Sequence, residues 1–248
     1  MEKLIEGKVL CDGKIVKSCK DAIKYGIGYI SKNRDTEALI LNGSIQDNIV
    51  LPSLPDLQKG IYISKKSEHM LSDKEIERFH IKCADGNQWV NTLSGGNKQK
   101  VSFAKWTAKG ANIIIMDCPT RGVDVGVKQF MYQQIMEMKK AGNAILMISE
   151  ELTELIGMSD RLLIMKDFEI SGQFKRSSGL KPADMINYMV SGGCGYGTSE
   201  SRKKNKFRCK TKYNNVWWIG FLYYIFFNIY IVAWTKHLES GKIINTYF

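Results

Sequence analysis

Three observations predict an α/β fold, in which helices cover the faces of a parallel sheet. First, apolar runs alternate with amphipathic segments over residues 113–165, in the order strand, helix, strand, helix, strand. Second, the run Ile113–Met116 ends in a carboxylate, Asp117, at the strand end where ligands of such sheets bind. Third, Ser94-Gly95-Gly96 precedes a helix that we predict over about Lys98–Lys109.

The individual elements follow from local residue chemistry. Alternation around Asp12-Gly13 predicts a β-hairpin over Gly7–Val16, and Ile27–Ile30 reads as a short strand. Pro52 and Pro55 divide residues 44–79 into helical fragments. The closing helix begins near Lys181-Pro182, since proline suits the first helical position. The alternating segments are predicted as helix Val127–Lys140, strand Ala144–Ile148, a short helix from Leu152 and strand Arg161–Met165.

The glycine turn and the carboxylate strand together predict a nucleotide site. Gly95 and Gly96 carry no Cβ, so backbone N–H groups there can approach an anion, which the N-terminus of the following helix also favours. Asp117 offers the hard oxygen ligand that Mg²⁺ prefers. Either feature alone also fits a helix cap or an ordinary core strand. Their order, followed by a second turn at Asp124, is much more specific.

These residues resemble ATP-binding cassette (ABC) proteins. Leu93-Ser94-Gly95-Gly96-Asn97-Lys98-Gln99-Lys100 is similar to the signature motif, and Ile113–Asp117 is similar to the Walker B strand. Asp124 occupies the position of the D-loop. Within that family, Thr120–Gly126, Gly157–Arg161 and Asn97 most resemble the second cassette of monosaccharide importers of the ribose, galactose and xylose type. The resemblance covers about Gly7 to Met189.

The resemblance implies a P-loop NTPase-like cassette that drives a sugar permease from the cytoplasmic face of the bacterial plasma membrane. It implies ATP and Mg²⁺ as cofactors, shared with a partner cassette, because in ABC dimers the signature of one cassette completes the site built on the Walker A loop of the other. The residues that it assigns to nucleotide are Ser94, Gly95, Gly96, Asn97 and Asp124, with Asp117 as the metal ligand.

Other positions depart from the family pattern. No Gly-x-x-x-x-Gly-Lys-Ser/Thr loop occurs in the sequence, so we expect an N-terminally truncated cassette whose partner, a second cassette or a fragment, supplies Walker A. Cys118 stands where the family has its catalytic glutamate, Lys32 follows the Tyr29-Ile30-Ser31 strand at the Gln/Glu loop position, and Glu150 replaces the switch histidine. We therefore predict no catalytic residue here. A non-catalytic remnant or regulatory partner of an importer is the alternative.

Composition divides the chain into a cassette over 1–193, with a helical subdomain at about 44–109, a basic linker over 194–213 and an apolar tail over 214–248. The uncharged residues 216–234 would span roughly 28 Å as a helix, which predicts a C-terminal membrane segment anchoring the chain. An amphipathic or disordered tail is the alternative.

The net charge does not indicate a nucleic-acid partner. The formal charge is +11, and seven cations between Arg202 and Lys212 supply most of it. A nucleic-acid footprint would be a basic stripe on a folded surface, whereas this run lies beside an apolar segment, where cations favour an anionic leaflet. The six cysteines include no Cys-x-x-Cys pair, which suits a reduced cytosol.

Overall fold

The computed structural model describes residues 8–166, 169–177, 179–191, 230–235 and 244–247. The strands are β1 (Lys8–Cys11), β2 (Lys14–Ile15), β3 (Ile27–Ile30), β4 (Gln58–Lys59), β5 (Tyr62–Ile63), β6 (Ile113–Asp117), β7 (Ala144–Ser149), β8 (Arg161–Lys166), β9 (Glu169–Lys175), β10 (Tyr230–Thr235) and β11 (Ile244–Tyr247). The helices are α1 (Cys19–Lys24), α2 (Ile45–Val50), α3 (Leu54–Leu57), α4 (Lys65–Arg78), α5 (Gly95–Ala108), α6 (Val125–Lys140), α7 (Leu152–Met158) and α8 (Pro182–Ser191).

The chain forms two compact units, and the candidate site lies in the one that comprises Cys19–Ile145. Its strands β3 and β6 are parallel, with Ile27 opposite Ile113 and Ile30 opposite Met116, so the predicted parallel pairing is confirmed here. Helix α5 packs closely on β3, because a Cβ added to Gly28 would lie 2.9 Å from the ring of Trp106. That position therefore requires glycine.

The helices of this unit share an aromatic core. Phe79 and Phe103 are fully buried with ring centroids 6.4 Å apart, and Phe130 of α6 packs edge-on against Phe79 at 6.2 Å. Helix α2 contacts both α4 and α5. The helical fragments predicted over 44–79 are confirmed as elements, but they are interrupted by the β4–β5 hairpin, which the sequence did not predict. The subdomain boundary at about 109 stays a prediction.

The other unit comprises Met1–Ser18 and Leu146–Phe248. The predicted hairpin is confirmed: β1 and β2 pair antiparallel around Asp12 (φ 49°) and Gly13 (φ 75°), the left-handed pair that a tight turn needs. Strand β8 pairs antiparallel with both β9 and β10, so the expectation of parallel strands is wrong for β8. A connection of only a few residues, as between β8 and β9, permits antiparallel pairing alone.

The C-terminal membrane helix predicted over 216–234 is not found in the part of that segment that the structure describes. Residues 216–229 of the predicted segment lie outside the described residues, and Tyr230–Thr235 form strand β10 instead of the end of a helix. The residues Tyr-Ile-Val-Ala-Trp-Thr are largely β-branched or aromatic, which favours a strand. Among the helices whose structure is described, none has the length and apolar character needed to cross a bilayer.

Candidate nucleotide-contact site

The turn Ser94-Gly95-Gly96, which we call the signature turn after the resemblance above, is the capped beginning of helix α5. Ser94 is the N-cap residue in extended conformation, and its Oγ accepts hydrogen bonds from Asn97 N at 3.4 Å and Asn97 Nδ2 at 3.0 Å. The Oδ1 atom of Asn97 accepts from Lys82 N at 3.0 Å. This cap explains why the helix begins at Gly95, three residues before the predicted start. Ser94 itself is exposed, so its hydroxyl can still donate to an incoming acceptor.

Close packing requires glycine at position 96, and at position 95 the absence of a Cβ leaves room for the tip of the Arg34 side chain. A Cβ on Gly96 would lie 2.9 Å from Cγ2 of Val127, and one on Gly95 would lie 2.8 Å from Nη2 of Arg34. Real Cβ atoms essentially never approach heavy atoms this closely. The glycines therefore allow two neighbouring segments to pack directly on the signature turn.

One of these segments is the turn over residues 121–124, which we call the D-loop turn after the resemblance above, and it caps helix α6. Asp124 is the N-cap residue, and its Oδ1 accepts from Val127 N at 2.9 Å. Val127 in turn packs against Gly96. The two predicted motifs therefore touch through Gly96 and Val127, while the assignment of Ser94, Gly95, Gly96, Asn97 and Asp124 to nucleotide stays a prediction.

The other segment contributes Arg34, a residue that sequence reasoning missed. Its guanidinium donates through Nη1 to the carbonyl of Arg121 at 3.1 Å and through Nη2 to the carbonyl of Gly122 at 3.4 Å, while Nη2 also lies beside Gly95. Arg34 therefore connects the D-loop turn to the signature turn. No local motif marks this arginine, so only the fold reveals it.

Residues 34–38 are also held along helix α5. Asp35 forms an ion pair with Lys98 at 3.4 Å, and Lys105 Nζ donates to the carbonyl of Ala38 at 3.0 Å. Burial lowers the pKa of Lys105, because the charged ammonium loses hydration there. The whole turn is therefore fixed to the signature helix at both ends.

Asp117 ends β6 on the same unit and is 7% exposed. Tyr29 pairs with Ile115, which lies two residues before Asp117 on β6. The side chains of Tyr29 and Asp117 therefore project from the same face of the sheet. Burial, and next the nearby Asp117 carboxylate, raise the pKa of the Tyr29 phenol. The following turn is tied to the signature helix, because the buried Gln99 Nε2 donates to the carbonyl of Pro119 at 2.7 Å.

The positions expected to lack catalytic groups have distinct environments. Cys118 is buried and has φ 45°, a left-handed conformation that is rare for residues with a side chain. Glu150 is exposed and belongs to the other unit. The absence of catalytic residues stays a prediction.

The donors present fit an oxygen anion better than a bare metal ion. An exposed hydroxyl at a capped helix N-terminus, with backbone N–H groups behind it, matches the chemistry of phosphate binding. Among the described residues, no three histidine, cysteine, aspartate or glutamate side chains converge to hold a metal. Asp117 alone would need ligands from the nucleotide itself.

Comparison with known proteins identifies the fold. Residues 1–121 match the family model for ABC transporters. A dimeric ATP-binding cassette in a post-hydrolysis state with ADP and Pi superposes with a TM-score of 0.61 at 21% identity, over 71% of this chain and 76% of that one. A nucleotide-free cassette from an ABC transporter gives 0.60 at 20% identity, over 77% and 75%. The chain has the fold of an ABC cassette.

Curated proteins similar to this chain include ribose import ATP-binding proteins, RbsA. The protein of Bacillus licheniformis is 40% identical over 195 residues, which make up 78% of this chain and 39% of that protein. The protein of Bacillus subtilis is 41% identical over 175 residues, 70% of this chain and 36% of that protein. The chain therefore matches about two fifths of the length of these relatives.

Proposed function

We propose that this chain is the nucleotide-binding, energy-coupling component of a bacterial sugar ABC importer, and that it contributes its signature turn to an ATP site at a cassette dimer interface. The observation that carries the proposal is the exposed Ser94 hydroxyl on a capped helix N-terminus, packed against the D-loop turn that begins with Arg121 and ends at Asp124. The ribose import relatives support a sugar as the cargo class.

The residues act by presenting hydrogen-bond donors in fixed positions. Ser94 donates its hydroxyl, and Gly95 and Gly96 present backbone N–H groups, toward a terminal phosphate held by the partner cassette. ATP supplies the phosphoanhydride bond whose hydrolysis drives transport. Asp117 would contribute one carboxylate oxygen to Mg²⁺, with phosphate oxygens completing the coordination. The proposed assembly is completed by a sugar permease in the membrane.

A non-catalytic regulatory partner is the second candidate, and Cys118 favours it. A thiol is mostly protonated at neutral pH and is a poor general base, and loss of such a base commonly costs roughly 10²–10⁴-fold in rate. In that case the chain would assemble with a cassette without supporting its turnover.

The decisive experiment is complementation of a disabled partner. The full chain is mixed with a cassette that has an intact phosphate-binding loop but an inactivated signature, and ATP turnover is measured. We expect turnover to appear with the wild-type chain and to fall about 100-fold with Ser94→Arg, because one donor is lost and the site is filled.

The matched control is Ser64→Arg, since Ser64 is also an exposed N-cap serine but lies at the start of α4. It should leave turnover unchanged. Binding of the two proteins without turnover would favour the regulatory candidate. Turnover by the isolated chain, abolished by Ser94→Arg, would contradict the proposed dependence on a partner.

A further inference from the structure

We propose that the β4–β5 hairpin and the start of helix α4 form a docking surface for an anionic lipid bilayer. This lipid-facing hairpin is residues 58–66, and it includes Ile61, Tyr62, Lys59, Lys65 and Lys66. The inference does not rest on the nucleotide site, and it concerns a different surface of the same unit.

The tip of the hairpin exposes apolar side chains that water disfavours. Ile61 is 85% exposed and Tyr62 is 75% exposed, and Ile63 beside them is 37% exposed. Contiguous exposed apolar residues commonly mark an interaction site, whereas single ones need no explanation. An aliphatic residue next to a tyrosine is the composition that suits the boundary between lipid headgroups and acyl chains.

The charged side chains of the hairpin itself are all positive, and the nearest acidic residues along the chain are Asp56 and Glu68. Lys59, Lys65 and Lys66 are exposed, and residues 58–66 contain no acidic side chain. An anionic leaflet attracts each lysine near its surface. The charge and the apolar tip therefore select the same partner, which neither feature would identify alone.

The N-terminus of helix α4 lacks a side-chain cap and begins with unfavourable charges. Its N-cap residue, Ser64, makes no side-chain cap hydrogen bond, and its first two residues are Lys65 and Lys66, although cations are unfavourable at the positive end of a helix dipole. Only Glu68 provides an acidic group in the first turn. A lipid phosphate at this end would satisfy both the lysines and the helix N-terminus.

The experiment measures partition of the full chain onto vesicles of phosphatidylcholine containing phosphatidylglycerol, and onto vesicles of phosphatidylcholine alone. We expect tighter partition onto the anionic vesicles. The double variant Ile61→Ser/Tyr62→Ser should weaken partition by at least about tenfold, because two apolar side chains leave the bilayer. The matched control is Ile186→Ser, another exposed isoleucine, in α8, which should leave partition unchanged.

A second variant separates lipid binding from folding. Lys65→Glu/Lys66→Glu should weaken partition by about fivefold or more per charge, while the melting temperature stays the same or rises, because carboxylates suit a helix N-terminus. The C-terminal basic run is unchanged in every variant, so its contribution to binding is common to all.

Equal partition of the wild type and the Ile61→Ser/Tyr62→Ser variant would overturn the proposal. The proposal would also be overturned if the Ile61→Ser/Tyr62→Ser variant bound native membranes more weakly than the wild type but bound lipid vesicles equally well. The surface would then dock on a membrane protein. A loss of partition by Lys65→Glu/Lys66→Glu only together with a lowered melting temperature would also count against it.

Discussion

Helices α5 and α4 both begin after a serine, yet their N-termini differ in nearly every other respect. At α5, Ser94 caps the helix with the help of Asn97, two glycines admit neighbouring segments, and Asp35 forms an ion pair with Lys98. At α4, Ser64 makes no cap hydrogen bond and two lysines follow it. The first N-terminus packs against two neighbouring segments and leaves the Ser94 hydroxyl exposed, whereas the second exposes its uncapped serine and two lysines.

At these helix starts, the cap forms where the residue three positions after the serine carries a carboxylate or an amide. Asn97 bonds Ser94 through its side-chain amide, whereas Ser67 is the corresponding residue of α4. The same contrast holds at α2, where Ser44 and Asp47 form a reciprocal capping box. A capped helix N-terminus holds its hydrogen-bond donors in fixed positions. An uncapped N-terminus leaves backbone N–H groups available to an external acceptor.

The largest effect on this comparison should come from Gly96→Ala. Val127 is β-branched and stiff, so its Cγ2 cannot move away easily from the new Cβ. We expect a loss of about 1–3 kcal/mol in the free energy of unfolding, measured by urea denaturation. Val127→Ala in the same chain should restore part of the loss. Gly157→Ala is the control, because that Cβ would meet nothing within 4 Å.

Ser94→Ala should cost roughly 0.5–2 kcal/mol of stability, the usual value of a helix cap. Ser64→Ala should cost nearly nothing, since that serine makes no cap bond. The two variants are compared by thermal melts under one condition. Equal losses would mean that the two helix starts do not differ as described.

Glu75 gives α4 a pH dependence. Burial raises the pKa of this carboxyl, with Arg78 and Lys74 opposing the shift, so the folded chain holds its proton more tightly than the unfolded chain. Stability should therefore fall as the pH rises from the unfolded pKa through the folded pKa. Glu75→Gln should be more stable than the wild type by about 1 kcal/mol at pH 8, as for one unsatisfied buried group.

The difference between Glu75→Gln and the wild type should shrink as the pH falls, because the protonated acid and the amide are both neutral. If urea denaturation gave the same difference in the free energy of unfolding between Glu75→Gln and the wild type at pH 4 and at pH 8, the raised pKa of Glu75 would be contradicted.

The smallest effect is a repair of the α4 start. Ser67→Glu adds a carboxylate three residues after Ser64 and completes a capping box, which should raise the free energy of unfolding by about 0.5 kcal/mol. The same change at the α5 start has no equivalent benefit, because Asn97 already fills that role. Paired urea titrations of Ser67→Glu and the wild type measure the gain, and no gain would mean that the α4 start is already satisfied.

Much of the fold follows from periodicity, and the failures have identifiable causes. Ile27–Ile30 and Ile113–Asp117 were predictable because buried apolar runs bounded by turn residues have few alternatives. The β4–β5 hairpin was missed because its strands have two residues each, too short for any alternation. Strand β9 was missed because Glu169–Lys175 mixes charged, small and apolar residues.

The site was predictable in part for the same reason. Ser94, Gly95, Gly96 and Asp124 lie on two short motifs, which the resemblance to ABC proteins assigned to nucleotide binding, and that role stays a prediction. Arg34 comes from a third segment, 87 residues from its acceptor on Arg121, and a lone arginine carries no local signal. Contacts made across the fold by single side chains require the tertiary structure.

Trp106 lies on the bare backbone of Gly28, near the end of the helix that begins with the signature turn. Ser94 is twelve residues away, or roughly 18 Å along the axis at about 1.5 Å per residue. A methyl group at position 28 would push Trp106 and its end of helix α5 away from β3, and the end that carries Ser94 would shift with it. The position of the Ser94 hydroxyl therefore depends on a residue at the far end of the helix, where Gly28 has a hydrogen atom and any other residue would have a carbon atom.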